Sequence, residues 1–369
     1  MRGAVSDGRP YRDHKRRDNG STPVRIRFLT STPLDIRRGS GTYVGIHVLA
    51  AALRRLGHTV ELETSRLRLP VYTLERLIFN RRLRPRPDTE LTVGFDLDGY
   101  RLAAGNPSHV AALKGVVADE VRFERGLTRL TMAMQAGRER LHARRANRVL
   151  VPSAYSAECA REFYGLAERP RIVPEPIDLA EWRRFLGLNP AGSAGFSVLF
   201  AGRLYRRKRV DTLLRAAAML RGRIPGLAVR LVGDGPHAGP LHSLARKLRV
   251  ADTVHWLGDV PRSQLAAEYN RADVFCLPSV QEGFGIVLLE AMAAGKPIVA
   301  SRAAAIPEVA PHGLLVEPEN PEALAAAIET LYRSPEQRAA IGAEGLRRVE
   351  AFDAPKVARL FLDAACAAT

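Results

Sequence analysis

The chain is expected to fold as an α/β protein with two Rossmann-like, doubly wound sheets. Three observations lead there. An alternating strand at Val24–Leu29 passes through a glycine-containing loop into a helix, then into a second strand at His58–Leu62. That is the order of one right-handed βαβ unit. Far downstream, Phe196–Ala201 is uniformly apolar, as a parallel strand covered on both faces must be, and it feeds a basic loop and another helix. Finally, 369 residues are enough for two domains with separate cores.

Taken in order, Met1–Thr22 is polar, without periodicity, and expected to be disordered. After Val24–Leu29 comes a loop holding Gly39 and Gly41, then a helix at Val44–Leu56 whose inward residues (Val44, His47, Val48, Ala51, Ala52, Leu56) have helical spacing. Gly57 stops it. The Arg- and Pro-laden stretch 66–87 holds one helix, Tyr72–Arg82. Thr89–Phe95 and His109–Leu113 read as strands. Asp96-Leu97-Asp98 between them reads as a strand-end turn, and His109 as a packed histidine. Asp119, Glu120, Arg122 and Glu124 open a long helix running to about Asn147. Glu120 and Glu124 share a face there, which is either solvated or has one of the two set to bind a hydroxyl. Arg148–Ser153 is a strand ending in a serine cap for the helix Ala154–Tyr164. Two prolines stiffen Arg171–Asp178, and Gly187–Gly195 is a linker.

The second half is organised around Ser279–Ala300. The run Ile286–Ala294 is helix-forming and dense in apolar residues, Gly295 ends it, and Ile298–Ala300 is a strand. Gly283-Phe284-Gly285 lies at the helix mouth, Glu282 just before it and Glu290 inside it. A helix N-terminus offers unpaired N–H groups and partial positive charge, which suits phosphate. Glycines let backbone approach a ligand closely. A carboxylate beside that mouth repels phosphate but accepts hydrogen bonds from sugar hydroxyls. A capped core helix with a stray internal glutamate would share these features. Upstream, Arg203 and Lys208 sit in the loop after Phe196–Ala201, at the strand end where open α/β sheets bind ligands; the neighbouring Arg206, Arg207 and Arg209 read as a solvated basic turn. Strands are expected at Leu227–Gly233, Val254–Leu257 and Asp273–Leu277, with closing helices at Pro321–Tyr332, Pro335–Glu350 and Ala354–Ala368.

The paired glutamates with GFG after the first and EAMAAGKPIVAS around the second closely resemble the signature of retaining glycosyltransferases of family four. The likeness extends from about Val24 to the end and is tightest over Phe196–Ile328. It implies the two-domain GT-B architecture facing a central cleft, the last helix crossing back onto the N-terminal domain. The implied boundaries are an N-terminal acceptor domain at 23–186 plus 353–369, a linker at 187–195 and a C-terminal donor domain at 196–352. The resemblance implies a nucleotide diphosphate sugar as donor and no cofactor or metal. Arg203 and Lys208 would neutralise the departing diphosphate, and Glu282 would hold the transferred sugar with the backbone of Gly283, Phe284 and Gly285. Glu290 would take the ribose, Val260 the base by its backbone, and Gly41 the phosphate side. Lys114 and Glu120 would lie on the acceptor or sugar side. Three departures stand out. Lys114 replaces a family histidine and cannot shuttle protons at neutral pH as histidine does. Glu175-Pro176 replaces Asn-Gly, and Ala304-Ala305 replaces a glycine pair.

Composition narrows the partners. Hydrophobic residues make up 46% and charged residues 26%, ordinary for a globular protein. Three scattered cysteines fit a reducing compartment better than a disulfide framework or metal cluster. No apolar run reaches the roughly 18–20 residues of a membrane span, and no secretory signal opens the chain, so a cytoplasmic location is expected. The net charge of +17 reflects either a GC-rich genome or attraction to an anionic membrane surface. No aromatic platform or helix-turn-helix supports nucleic-acid binding. Two other classes stay open: a nucleotide-sugar epimerase of the same fold, and a non-catalytic member binding anionic membranes or a partner.

Overall fold

The computed structural model describes residues 23–32, 41–65, 72–188 and 195–366. The expected tail at 1–22, Gly39 and Ser40 of the first loop, and positions 189–194 of the linker lie outside them.

The first sheet contains β1 (Arg25–Thr30), β2 (Thr59–Thr64), β3 (Leu91–Phe95), β4 (His109–Ala112), β5 (Arg148–Val151) and β6 (Arg171–Ile172). The second contains β7 (Ser197–Ala201), β8 (Ala228–Val232), β9 (Val254–Gly258), β10 (Val274–Leu277), β11 (Ile298–Ser301) and β12 (Leu314–Val316). The spatial orders are β2-β1-β3-β4-β5-β6 and β12-β11-β10-β7-β8-β9, and every strand pairing is parallel. Both sheets are doubly wound, as expected. The strand order reverses between β1 and β3 in one sheet and between β7 and β10 in the other. A crevice opens at such reversals, beyond the carboxyl ends of the two strands. The loop after β7 carries Arg203 and Lys208; the loop after β10 carries Glu282 and the glycine pair. Topology therefore brings together segments more than seventy positions apart.

Each sheet has its own core. Phe28 packs edge-on against Phe95 at 5.0 Å and Phe361 at 5.9 Å. Phe361 belongs to the last helix, Ala354–Cys366, which crosses back onto the first sheet and buries Ala354, Ala358, Phe361 and Ala365 there. Burying one such phenylalanine stabilises the docking by about 2 kcal/mol. In the second core, Trp182 meets Tyr269 at 5.7 Å. Ile177, Leu179 and Trp182 all pack in that core, so the helix Leu179–Gly187 joins the second sheet ahead of the linker at which the change of domain was expected.

The long helix expected from Asp119 is broken. A short helix, Val117–Glu120, and a 3₁₀ turn, Val121–Phe123, precede the helix Gly126–Arg145. Glu124 and Arg125 are extended, and Gly126 takes a φ of 58°, a left-handed value that glycine adopts without steric cost. The helix pattern survives on both sides of the break, which is why sequence alone hides it. Asp96-Leu97-Asp98 is a structural turn: the Asp98 carboxylate accepts from the Ser31 amide at 2.7 Å and Asn80 at 2.9 Å, and pairs with Arg76 at 3.2 Å.

His109 is packed, against a partner the sequence did not show. Its Nε2 lies 2.8 Å from Nε2 of His142, whose Nδ1 donates to the Asp96 carbonyl at 2.5 Å. His142 Nε2 must then accept from His109, leaving His109 Nδ1 without a partner. Burial drives His109 down to about 2 and His142 down to about 4. The unfolded chain binds protons below the ordinary value of 6.5 that the folded chain refuses. This contribution to stability is therefore complete above pH 6.5 and is lost as pH falls toward 4. His109→Gln should melt below wild type at pH 7.5, with a deficit that narrows steadily toward pH 5. A deficit independent of pH, measured by thermal denaturation, contradicts the neutral pair.

Candidate active site

The loop after β7 runs through Arg203 and Tyr205 into a 3₁₀ turn, Arg206–Lys208. It is tied to the loop after β10 by Val280 N–H donating to the Arg207 carbonyl at 2.9 Å. Lys208 Nζ then reaches Glu282 Oε1 at 2.6 Å. Past Glu282 the chain turns at Gly285, with φ 90°, into the helix Ile286–Ala293, and no side chain caps that helix. Its first N–H groups face a cavity of about 170 Å³ lined also by Arg203, Lys208 and Glu282. An uncapped helix mouth beside two cations suits an anion.

The opposite wall comes from the first domain. Gly41 and Thr42 contribute the first turn of the helix Gly41–Arg55, and Lys114 and Glu120 follow β4. Gly283 touches this wall directly, its carbonyl accepting from Ser153 Oγ at 2.7 Å and Ser156 Oγ at 3.0 Å. A trans peptide then points the Phe284 N–H away from those serines. Glu308 of the second domain accepts from Ala154 and Tyr155 N–H at 2.8 and 2.7 Å, which places a carboxylate at the N-terminus of a first-domain helix. The Phe284 ring is 4% exposed and packs edge-on against Phe352, so Phe284 offers the cavity mainly its backbone.

Thus Gly41, Lys114, Glu120, Arg203, Lys208, Glu282 and the Gly283–Gly285 segment converge on one cavity. Glu290 and Val260 do not line it. Glu290 is buried further along the helix, its carboxylate 3.2 Å from the Tyr269 hydroxyl. Burial pushes it upward against the pull of Arg262. Val260 is buried in the second core.

Two charged lining residues were missed. Arg207, taken for a solvated turn residue, is largely buried and bridges the domains, pairing with Glu120 at 3.1 Å and Glu124 at 3.6 Å. Its ring partner is Tyr205, at 4.8 Å. Glu120 and Glu124 accordingly face this arginine and not solvent. Burial raises the Glu120 carboxyl, with Arg207 and Lys208 pulling the other way. The second missed residue is Glu175, whose carboxylate meets Lys114 Nζ at 2.9 Å. The departures from the family pattern at 114 and 175 are thus one ion pair. At the third departure, Ala304 holds φ 51°, a left-handed conformation in which glycine is the usual occupant. Among the described residues, no cluster of three or more His, Cys, Asp or Glu can hold a metal ion.

A family model described as "Glycosyl transferases group 1" matches residues 191–348. Over 309 residues the chain is 31% identical to the GDP-mannose-dependent α-(1-6)-phosphatidylinositol monomannoside mannosyltransferase of Mycolicibacterium smegmatis, covering 79% of each protein. The chain belongs to the group 1 glycosyl transferases. Another relative is the D-inositol 3-phosphate glycosyltransferase of Pseudarthrobacter chlorophenolicus, 34% identical over 223 residues, or 56% of this chain. Here the chain spans about half the relative's length, 52%. Sucrose-phosphate synthase from Thermosynechococcus elongatus has the same fold, with a TM-score of 0.74 at 22% identity, over 92% of this chain and 97% of that one. Anabaena HepE in complex with UDP and glucose follows at 0.67 and 19%, over 94% and 100%.

Arg207→Ala would strand Glu120 and Glu124 at the domain interface. Removing one side of a largely buried ion pair should cost about 3 kcal/mol. Urea denaturation should show that loss, and Glu120→Gln in the same background should recover part of it. An Arg207→Ala protein as stable as wild type would show that the bridge carries no stability.

Proposed function

We propose that the protein is a retaining glycosyltransferase, moving a sugar from a nucleoside diphosphate sugar onto a hydroxyl of a lipid, glycan or small-molecule acceptor. One observation carries this reading: Arg203, Lys208 and Glu282 share a cavity with an uncapped helix mouth. That combination suits a diphosphate joined to a sugar.

In the proposed reaction the acceptor oxygen bonds to the anomeric carbon as the bond from that carbon to the phosphate oxygen breaks. The acceptor proton passes to the departing diphosphate on the same face, so configuration is retained. Negative charge grows on the diphosphate during this step, and fixed cations and amides stabilise it without reorganising. Arg203 and Lys208 supply the cations, and the Gly283–Gly285 backbone and the helix mouth supply amides. Glu282, released from Lys208 by the arriving phosphate, accepts from the sugar hydroxyls. The family resemblance assigns the ribose to Glu290 and the base to Val260, although neither lines this cavity. The cations fill the role a metal would otherwise play, so we propose a reaction independent of divalent ions. The relatives' names refer to GDP-mannose and to inositol-based acceptors, which makes GDP-mannose the first donor to try and a polyol the first acceptor. An epimerase of the same fold finds no support among these relatives.

A second surface supports work at a membrane. On the helix Gly126–Arg145, Leu127, Leu130 and Met134 are exposed at 74%, 61% and 49%. They recur at helical spacing, with exposed Arg125, Arg129 and Arg138 around them. Apolar residues ringed by arginine fit the interface of an anionic bilayer. No described helix is long and apolar enough to cross one. The protein should co-sediment with vesicles containing anionic phosphatidylglycerol and much less with neutral phosphatidylcholine. Leu127→Glu/Leu130→Glu should abolish the difference; retention of it would remove this surface from consideration.

Arg203 gives the cleanest test of the site. Among the described residues it has no carboxylate partner, only the Tyr205 ring at 5.9 Å, so its removal strands no buried acid. Arg203→Ala should lower kcat/KM about a hundredfold or more with the melting temperature unchanged, and wild-type turnover should persist in EDTA. Near-normal turnover by Arg203→Ala would refute the assignment.

A further inference from the structure

We propose that Glu175, held by Lys114 in a notch left by Gly45, is a hydroxyl-binding carboxylate of the cleft that fixes one hydroxyl of the donor sugar or the acceptor. The inference rests on the glycosyltransferase reading above and adds a specificity residue to it.

Three observations converge. First, Glu175 and Lys114 both line the cavity, on the wall facing Arg203 and Lys208, with side chains only 4% and 11% exposed. Among the described residues Lys114 is the sole hydrogen-bond partner of this carboxylate, through Oε2, so Oε1 keeps its accepting capacity. Lys114 is itself held from two sides: its amide donates to Asp96 at 2.9 Å, and its ammonium lies 5.3 Å from the centre of the Phe95 ring. The pair is rigid at its base.

Second, the carboxylate has been given space at a cost. Gly45 lies within the helix Gly41–Arg55, where alanine is the better helix former. A Cβ there would fall 2.2 Å from Glu175 Oε2 and 3.4 Å from the Ile286 side chain. Any larger residue would displace the glutamate, so the helix carries a glycine where only the glutamate needs one.

Third, the charges around the cavity divide by function. Arg207 is matched by Glu120 and Glu124, Lys208 by Glu282, and Lys114 by Glu175. Arg203 and the helix mouth remain for phosphate. A carboxylate on the far wall repels phosphate and accepts from a hydroxyl, and a hydroxyl bound to a charged acceptor is held more tightly than one bound to a neutral group.

The test uses Glu175→Gln and Gly45→Ala in the full chain, with melting temperature as the control for folding. Gly45→Ala sets a better helix former against displacement of a buried ion pair, so free-diphosphate affinity equal to wild type is the sign that each variant's donor site is folded. Calorimetry with GDP-mannose, UDP-glucose and the free diphosphates GDP and UDP forms the donor arm. Transfer to D-inositol 3-phosphate and to phosphatidylinositol monomannoside forms the acceptor arm. If the hydroxyl belongs to the donor, both variants should bind the nucleotide sugar about tenfold or more weakly while the free diphosphate binds as before. If it belongs to the acceptor, donor affinity should stand and the acceptor KM should rise by a similar factor. Wild-type affinities and KM in both variants would overturn the proposal and leave the Arg203-based reading intact. A loss that only tracks a lowered melting temperature would also overturn it. Wild-type protein that binds no nucleotide sugar would overturn both.

Discussion

The cleft depends on an electrostatic arrangement that is almost balanced. Lys114, Arg203, Arg207 and Lys208 face one small cavity with Glu120, Glu175 and Glu282. Like charges this close repel strongly unless each is matched, and three of the cations are matched. Arg203 and the uncapped helix beginning at Ile286 are left in surplus. That surplus is what a diphosphate would complete. In the proposed reaction Glu282 depends on the ligand: Lys208 holds it until a phosphate competes for the ammonium.

In the second sheet the reversal of strand order delivers these groups: the loops after β7 and β10 flank it and carry Arg203, Lys208 and Glu282. The first domain contributes Lys114 and Glu120 after β4 and Glu175 after β6. The domains meet in hydrogen bonds that involve the site's own backbone. Gly283 gives its carbonyl to Ser153 and Ser156, and Glu308 caps the helix that begins at Ala154. The binding proposed at the glycine pair would therefore be linked to docking of the domains through the same peptide. The returning helix, with Phe361 against Phe28, fastens the second domain to the first sheet.

Much of this was legible in the sequence. The strands, the helix mouth at Gly285 and the loop carrying Arg203 and Lys208 follow from local periodicity and turn residues, and local signals are what a sequence displays. Pairings across long separations are not displayed. Arg207 sits among Arg206, Lys208 and Arg209, and nothing local marks it as the one that crosses to Glu120. Lys114 and Glu175 looked like two unrelated departures until the fold closed the 61 positions between them. The break before Gly126 was hidden because a glycine within a helical pattern is often tolerated. The change of core near Ile177 was hidden because Trp182 looks equally apolar whichever sheet it joins.

The account stands or falls on whether nucleotide phosphates lodge at the helix mouth between Arg203 and Lys208. Amide hydrogen exchange followed by mass spectrometry, with and without GDP or UDP, reads this directly. Slowed exchange in the segments 203–208 and 283–288, with little change on the helix Gly126–Arg145, is the predicted result. Nucleotide binding that protects other parts of the chain and leaves those two segments untouched would contradict it.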